Sequence, residues 1–591
     1  MDERNWPNLA AMFFDQAARL GDKPFLWAKP KGGTYQPISW RTAADRVTEI
    51  ARGLRAIGLQ RGDRVALISE NRPEWAFADL AIISAGCITV PAYVTHQVED
   101  FRYLLANSGA RAAIVSSTAL AERVVPAAEL VDTVEHVMVI DSLPDRQTST
   151  TDVLLLGDLI ARGDAAGGDV AAWVAETQTD DLACLIYTSG TGGLAKGVMT
   201  SHGNIFANCL GALGFLKMLG LGDEVFLNFL PLSHSYEHTA GLMFPIYLGA
   251  EIYFAEGADT LLTNLTEARP TIMTAVPRLY ETMHQRILRG IEREGGWRAN
   301  LFFRTVELGE KRLFDPQGLT LIEKLQDFVL EKLVRDKFRE RFGGRLKAMV
   351  SGGAPLNPKI GTFFLALGIR LLQGYGQTET SPVVSANRPD KIKIETVGPP
   401  LDGVEVKIAE DGELLVRGAL VMKGYWNDPE ASARALEGGW LHTGDVGHID
   451  EDGYIVITDR KKDFIKNSGG DMIAPAKIEG ALTLEPEIPQ AMVYGDRRPY
   501  LVAVIVPSKE LLAHVKGLDD PELGKKIGVV VARVNQGLAN IERVRRFIIA
   551  TEPFTTENAQ MTPTLKIRRH AIREVYGKAL EGLYEKASNT P

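Results

Sequence analysis

Tyr187-Thr188-Ser189-Gly190-Thr191-Gly192-Gly193-Leu194-Ala195-Lys196-Gly197 is the stretch on which the reading of this chain turns. It follows an apolar run at residues 182–186 that predicts a strand. Four glycines and three aliphatic hydroxyls fall within eleven residues, with one lysine near the end. Glycines let the backbone turn tightly and bring N–H groups close to an anion. Hydroxyls add donors and Lys196 adds a point charge, so the stretch suits a polyphosphate. It is not a Walker loop, which needs Gly-Lys-Ser/Thr at its end. Taken alone it also reads as an ordinary surface loop, because Gly/Ser clusters punctuate loops generally.

Upstream of it, strand and helix alternate. Helices are expected at 9–20, 38–57, 74–85 and 98–108, with Ser39 as a cap on the second. Strands are expected at 64–68, 88–93, 112–115 and 137–140. This alternation predicts a doubly wound α/β layer. Residues 142–180 are polar and acidic and predict a loop with a short helix.

Downstream, Ser201-His202-Gly203-Asn204 opens a helix that runs to Phe215. Strands follow at 227–230, 250–254 and 271–276, the last breaking at Pro277 into a helix over 278–289. Residues 290–344 differ, being rich in Arg, Lys, Glu, Leu and Phe. Leu321, Leu325, Phe328, Val329 and Leu333 have helical spacing there. This predicts an all-helical insertion of basic amphipathic character. It reads either as a solvated hairpin packed on the domain or as a surface that approaches anionic lipid.

The α/β pattern returns at 346–350, broken by Ser351-Gly352-Gly353-Ala354-Pro355, and at 369–372, broken by Gln373-Gly374-Tyr375-Gly376-Gln377-Thr378-Glu379. Residues 397–458 are short strands with Gly-Asp turns, expected to form a small barrel or sandwich. The charged run Asp459-Arg460-Lys461-Lys462-Asp463 is the best boundary. Two domains are expected, 1–461 and 462–591, the second a smaller α/β unit.

Composition excludes several classes. The 591 residues are 45% hydrophobic and 24% charged, ordinary values for a globular protein of more than one domain. A net charge of −9 argues against a nucleic-acid binder. The three cysteines have no metal-type spacing, and Cys87 and Cys184 sit in apolar runs, as in a reducing compartment. No basic-then-apolar leader and no apolar run of about 18 residues is present. A cytoplasmic location is expected, with peripheral contact at the inner face of the membrane left open.

The motifs together resemble the adenylate-forming superfamily, most closely its long-chain fatty acyl-CoA synthetases. Five carry the resemblance in family order over about residues 8–575. They are the glycine loop, Gly374-Tyr375-Gly376-Gln377-Thr378-Glu379, His442-Thr443-Gly444-Asp445, Asp459 to Asp463 with Ser468-Gly469-Gly470, and Thr562-Pro563-Thr564-Leu565-Lys566-Ile567-Arg568-Arg569. The glycine loop departs from the family pattern twice: Gly192 stands for a threonine and Ala195 for a proline.

The resemblance implies ATP-dependent ligation of a fatty acid to coenzyme A through an acyl-adenylate, releasing AMP and pyrophosphate. By the same resemblance Ser189, Gly190, Thr191 and Lys196 would hold the β- and γ-phosphates, and Thr378 would touch the α-phosphate. Glu379, helped by Thr188, would hold Mg²⁺. Tyr375, within the turn that includes Gly374 and Gly376, would stack on adenine opposite Gly353, Ala354 and Pro355. Asp445 would accept the ribose hydroxyls, backed by Arg460. Lys566 would serve adenylation. Lys462 would be a hinge whose rotation withdraws Lys566 and presents Gly469 and Gly470 to the thiol. His234 would stand beside the acyl site or be a buried, hydrogen-bonded histidine.

The extended 290–344 segment favours a medium- to long-chain acid, and residues 236–246 are either tunnel lining or core. Three alternatives stay open: a ligase loading a carrier protein, a ligase for another acid, and a non-catalytic lipid-binding relative.

Overall fold

The computed structural model describes residues 5–30, 32–143, 151–188, 194–562 and 566–585. Ser189, Gly190, Thr191 and the departure at Gly192 lie outside the described residues.

Two strands, β1 (Pro24–Ala28) and β2 (Gln36–Ser39), precede the first α/β unit. That unit holds β3 (Arg64–Ile68), β4 (Ile88–Pro91), β5 (Ala110–Val115), β6 (His136–Val139), β7 (Asp152–Leu155), β8 (Leu182–Thr188) and β9 (Lys196–Ser201). They form a seven-stranded sheet in the order β7-β6-β5-β3-β4-β8-β9. All pairs are parallel except β8 and β9, which form an antiparallel hairpin around the glycine stretch. The strands are near-continuous apolar runs because helices cover the sheet.

A second sheet of eight strands contains β10 (Val225–Asn228), β11 (Glu251–Phe254), β12 (Ile272–Ala275), β13 (Ala348–Ser351), β14 (Leu371–Gly376) and β15 (Val383–Ala386). Its order is β15-β14-β13-β12-β10-β11-β1-β2. The expected doubly wound layer is therefore two layers. One continuous core joins them through Trp40, Trp75, Leu242 and Ile246, all fully buried.

Two expectations need correction. Residues 142–180 are not mainly loop: β7 is followed by helices Leu156–Ala166 and Val170–Glu176. The acidic content hid them, but Leu156, Leu159, Val170 and Val174 are buried against the first core. The stretch after the glycine loop also begins with a strand, β9, before the helix His202–Lys217. Lys196 and Gly197 masked its β pattern.

The β-rich part comprises β16 (Glu405–Ile408), β17 (Glu413–Arg417), β18 (Leu441–Ile449) and β19 (Ile455–Arg460), an antiparallel sheet in chain order. Its ladder stays open, so the barrel expected here is not closed by strand pairing. The insertion is helical as expected: the helix Pro277–Glu294 runs into helices Gly296–Phe314 and Leu321–Leu330.

Beyond residue 462 come the short pair β20 (Ile465–Lys466) and β21 (Met472–Ile473), then β22 (Gln490–Tyr494), β23 (Leu501–Val506) and β24 (Val544–Ile549). The last three form one sheet with a core on each face. This unit touches the larger body through Arg289 and Glu510 at 2.6 Å and through Asn357, whose amide donates to the Gly480 carbonyl at 3.3 Å. No helix among the described residues is long and apolar enough to cross a membrane.

Candidate active site

The carboxyl end of β14 meets the middle of β18, where Tyr375 is hydrogen-bonded to Asp445. Ligands favour such strand ends in α/β sheets. β13 ends at Ser351, and Gly353 follows with φ of 82°, a left-handed conformation that suits glycine. Ala354 and Pro355 continue the turn. β14 ends in Gly374-Tyr375-Gly376. A Cβ on Gly376 would lie 1.9 Å from the Pro382 carbonyl oxygen, and one on Gly374 would lie 2.9 Å from that of Ser385. These two glycines are required by the approach of β15, whatever else passes nearby.

Asp445 and Arg460 are cross-strand partners on β18 and β19. Opposed residues share a face of the sheet, and Arg460 Nε donates to Asp445 Oδ1 at 3.2 Å. Tyr375 Oη donates to the other oxygen, Oδ2, at 2.6 Å. The Gln377 amide donates to Tyr375 Oη at 3.3 Å and to the Thr443 carbonyl at 3.4 Å. Burial and the Asp445 charge raise the Tyr375 pKa, so its hydroxyl stays protonated. Asp445 is buried and receives three side-chain donors, the Gln377 amide reaching Oδ2 at 3.5 Å beside Tyr375 and Arg460, as a buried carboxyl group must be hydrogen-bonded.

Lys566 arrives from the C-terminal unit. It lies in a turn closed by reciprocal bonds with Thr562: the Thr562 N–H donates to the Lys566 carbonyl at 2.8 Å and the Lys566 N–H to Thr562 Oγ1 at 3.0 Å. Nearby, Arg569 clamps Glu479 through two 2.6 Å contacts. Lys566 itself is exposed to solvent, with protein packed around it. Enclosure, and then the positive charge of Arg460, lower its pKa to about 8, while Asp445 acts in the opposite sense. Lys566 thus stands within electrostatic reach of both members of the Asp445–Arg460 pair.

It also reaches His234. Burial foremost, then the Lys566 charge, lowers the His234 pKa to about 3, so the imidazole is neutral. Its Nδ1 accepts from the Tyr236 N–H at 3.1 Å. His234 is therefore a hydrogen-bonded histidine that also feels the charge of Lys566. Next to it, the Ser235 and Thr378 hydroxyls are 3.0 Å apart, joining this segment to the turn that bears Glu379. Residues 236–246 are buried except for half-buried Ala240.

Thr188 pairs with Lys196 at the mouth of the β8–β9 hairpin. Lys196 Nζ lies 3.6 Å from Asp428 and 4.8 Å from the centre of the Tyr425 ring. Tyr425 Oη donates to Glu379 Oε1 at 2.9 Å. The backbone of Gly424 and Trp426 is hydrogen-bonded to Met199 and Gly197, which fixes Tyr425 beside the hairpin. Helix Val98–Ser108 supports the stem: Tyr103 Oη donates to the Ala195 carbonyl at 2.7 Å and Tyr187 Oη to Asn107 at 2.7 Å. Glu379 and Thr188 offer oxygen donors, and no cluster of three His, Cys, Asp or Glu occurs among the described residues. One carboxylate with a hydroxyl fits a hard, largely hydrated cation.

Lys461 is anchored to the larger body, its N–H on the Gly444 carbonyl at 2.8 Å and its Nζ on Glu413 at 3.1 Å. Lys462 follows in a turn. The Gly469–Gly470 hairpin is exposed, and its neighbour Ser468 donates to the Arg498 carbonyl at 3.0 Å within its own unit. Lys566 thus lies within electrostatic range of Asp445, while Gly469 and Gly470 are exposed to solvent.

Sequence reasoning missed Gln377 as a site residue, and Tyr425, Asp428 and Tyr103 altogether. Gln377 lay inside a quoted motif. The other three carry no local signal, because only the fold brings them to the loop.

Residues 13–426 match the AMP-binding enzyme family and residues 462–588 the AMP-binding enzyme C-terminal domain. The chain belongs to the AMP-binding enzymes. Within that class it is 33% identical, over 98% of its length and 97% of the relative's, to the long-chain-fatty-acid–CoA ligase FadD15 of Mycobacterium tuberculosis. It is 30% identical to the peroxisomal long chain acyl-CoA synthetase 6 of Arabidopsis thaliana, over 94% and 82% of the two chains. Among solved structures it resembles the A domain of carboxylic acid reductase from Segniliparus rugosus in complex with AMP and a co-purified carboxylic acid. The TM-score is 0.80 at 26% identity, covering 99% of this chain and 95% of that one.

Proposed function

We propose that the protein ligates a medium- to long-chain fatty acid to coenzyme A in two steps. A carboxylate oxygen attacks the α-phosphorus of ATP, and pyrophosphate leaves from the acyl-adenylate. The coenzyme A sulfur then attacks the acyl carbonyl, and AMP leaves as the thioester forms. The observation that carries this reading is that Lys566, from the C-terminal unit, lies within electrostatic range of Asp445, Arg460 and His234. A cation from one unit acts electrostatically on a carboxylate suited to ribose hydroxyls in the other.

In this reading Asp445, oriented by Tyr375 and Arg460, accepts from the ribose. The Tyr375 ring faces adenine, with Gly353 to Pro355 opposite. Lys566 neutralises charge between the attacking carboxylate and the α-phosphate, where preorganised donors have most effect. Thr378 donates to the α-phosphate. Lys196, with Ser189, Gly190 and Thr191, receives the pyrophosphate portion. Glu379 and Thr188 would hold Mg²⁺, which supplies charge neutralisation at the phosphates when bound. His234, neutral, borders the acyl carboxyl group.

Lys462 is the hinge between units 1–461 and 462–591. The arrangement with Lys566 inward is the one for adenylation. Rotation would bring Gly469 and Gly470 to the thiol. Each buried methylene contributes about 0.8 kcal/mol, so an apolar acyl site selects by length. A substrate of this kind partitions into lipid, and a cytoplasmic protein working at a membrane surface fits it.

The test is a panel of acids of graded length with ATP, assayed for pyrophosphate release and for thioester with free coenzyme A. Acid-dependent pyrophosphate release without thioester would favour transfer to a carrier protein. The likeness to the carboxylic acid reductase domain keeps that second reading in view. No pyrophosphate release with any acid would reject both.

A further inference from the structure

The insertion helix Leu321–Leu330 is turned inside out. Its acids face the protein: Glu323 meets Lys311 at 2.9 Å, and Asp327 meets Arg312 at 3.0 Å and Arg335 at 2.7 Å. Glu331, just beyond, meets Arg339 at 2.6 Å. Arg335 is fully buried and also donates to the carbonyls of Ala366 at 2.7 Å and Thr305 at 3.0 Å. This ionic network, with a small apolar cluster of Leu308, Leu319 and Leu330, holds the helix down.

The opposite face is apolar and open. Leu321, Ile322, Leu325, Phe328, Val329 and Leu333 are exposed by 85, 71, 66, 70, 45 and 50%. Their spacing places them on one continuous stripe. A soluble helix normally buries such a stripe and solvates its charges; here the two are exchanged. An exposed apolar surface of this continuity marks an interaction site.

Charge selects the occupant. The acids of the helix are spent on the inner network. Lys324 is exposed and makes no salt bridge among the described residues, and Lys332 is exposed and forms an ion pair with Asp336 at 2.9 Å. An apolar stripe bordered by lysines, with its carboxylates turned away, complements a lipid surface bearing anionic headgroups.

We propose that this face docks on an anionic bilayer, with Leu325 and Phe328 entering the acyl boundary and Lys324 and Lys332 meeting headgroup phosphates. The inference narrows the membrane contact proposed above to one face. Its readout uses no substrate, so it can fail while the ligase reading stands, and the reverse.

The experiment is co-sedimentation of the full chain with phosphatidylcholine vesicles, pure or mixed equally with phosphatidylglycerol. The wild type is expected to bind the anionic vesicles at least about tenfold better, with binding that weakens as salt rises. Leu325→Glu with Phe328→Glu should lower anionic binding by about tenfold or more. Lys324→Gln with Lys332→Gln should remove most of the preference for anionic lipid. Thermal melting and turnover of a freely dissolved acid should match the wild type in both variants, which separates lost docking from lost folding. Absence of vesicle binding, equal binding to neutral vesicles, or equal binding by the glutamate variant would each overturn the proposal. So would a concentration-dependent dimer that the glutamate variant dissociates, since the stripe would then join two copies of this chain.

Discussion

Tyr375 and Asp445 share a 2.6 Å hydrogen bond that joins the second α/β sheet to the open antiparallel sheet. Arg460 occupies the other Asp445 oxygen, so the carboxylate is fixed before any nucleotide arrives. Asp445→Asn keeps the shape and loses the charge. A hydrogen bond to a charged group is worth about 1.5–3 kcal/mol. We expect kcat/KM for ATP in pyrophosphate exchange to fall about ten- to a hundredfold, by the conversion of about 1.4 kcal/mol per decade. Thioester formation from supplied acyl-adenylate should fall too. Tyr375→Phe should cost about tenfold, the low end of that range, because one hydrogen bond to the carboxylate is lost while Arg460 still holds it.

Lys566→Ala should block adenylate formation and spare thioester formation from a supplied acyl-adenylate. Equal loss of the two half-reactions would reject rotation of the C-terminal unit. The lysine also sets a pH limb. Its pKa is lowered to about 8, so it is charged below that value and loses its proton as pH rises through it. For adenylation, kcat/KM should fall above about pH 8, and Lys566→Arg should move that limb beyond the measurable range because a guanidinium stays protonated.

Glu379 is held by Tyr425 at 2.9 Å, on the side facing the glycine hairpin. If it holds Mg²⁺, Glu379→Gln should cut pyrophosphate release about a hundredfold or more, by analogy with loss of one transition-state electrostatic group. Tyr425→Phe should raise the Mg²⁺ concentration needed for half activity by about tenfold, through loss of one hydrogen bond to the carboxylate. A Mg²⁺ titration with each variant, after chelator treatment, measures both.

Lys462→Pro tests the hinge. Lys461 is anchored to Gly444 and Glu413, so rotation must begin beyond it. Proline fixes φ near −65° and restricts the preceding residue. Adenylation should persist within a few fold while thioester formation drops much further. A uniform loss would place the pivot elsewhere.

Glu237 gives a stability test. It is fully buried, accepting from the Phe229 N–H at 3.1 Å and from Thr274 Oγ1 at 2.6 Å. Burial raises its pKa from 4.5 to about 8 against those bonds. The folded state therefore binds the proton more tightly than the unfolded state. Its stabilising effect is fullest below about 4.5 and is lost as pH climbs toward 8. Glu237→Gln should flatten the decline of melting temperature across that window, as read by calorimetry.

Much of this site was legible in the chain. The resemblance in motif order pointed to Tyr375, Glu379, Asp445, Arg460 and Lys566, and the structure joins Tyr375 and Arg460 to Asp445 by hydrogen bonds. The fold class followed from alternating apolar runs and glycine breaks. What stayed hidden had physical causes. The hairpin partner β9 begins with Lys196-Gly197, which carries no β signal. The helices within 156–176 are short and acidic. Tyr103, Tyr425 and Asp428 meet the glycine loop only through long-range packing. The insertion's apolar residues were legible as a helical stripe, but sequence could not say that the stripe points outward.

The support beneath Ala195 has a further meaning. A proline at this position would stiffen the loop through its own ring, at every temperature and whatever its surroundings. Here Tyr103 performs a comparable restraint from a separate helix, through a single bond at 2.7 Å. Stiffness is thus on loan from a neighbour and can be withdrawn: whatever disturbs the seating of helix Val98–Ser108 slackens the stem of the β8–β9 hairpin at Ala195.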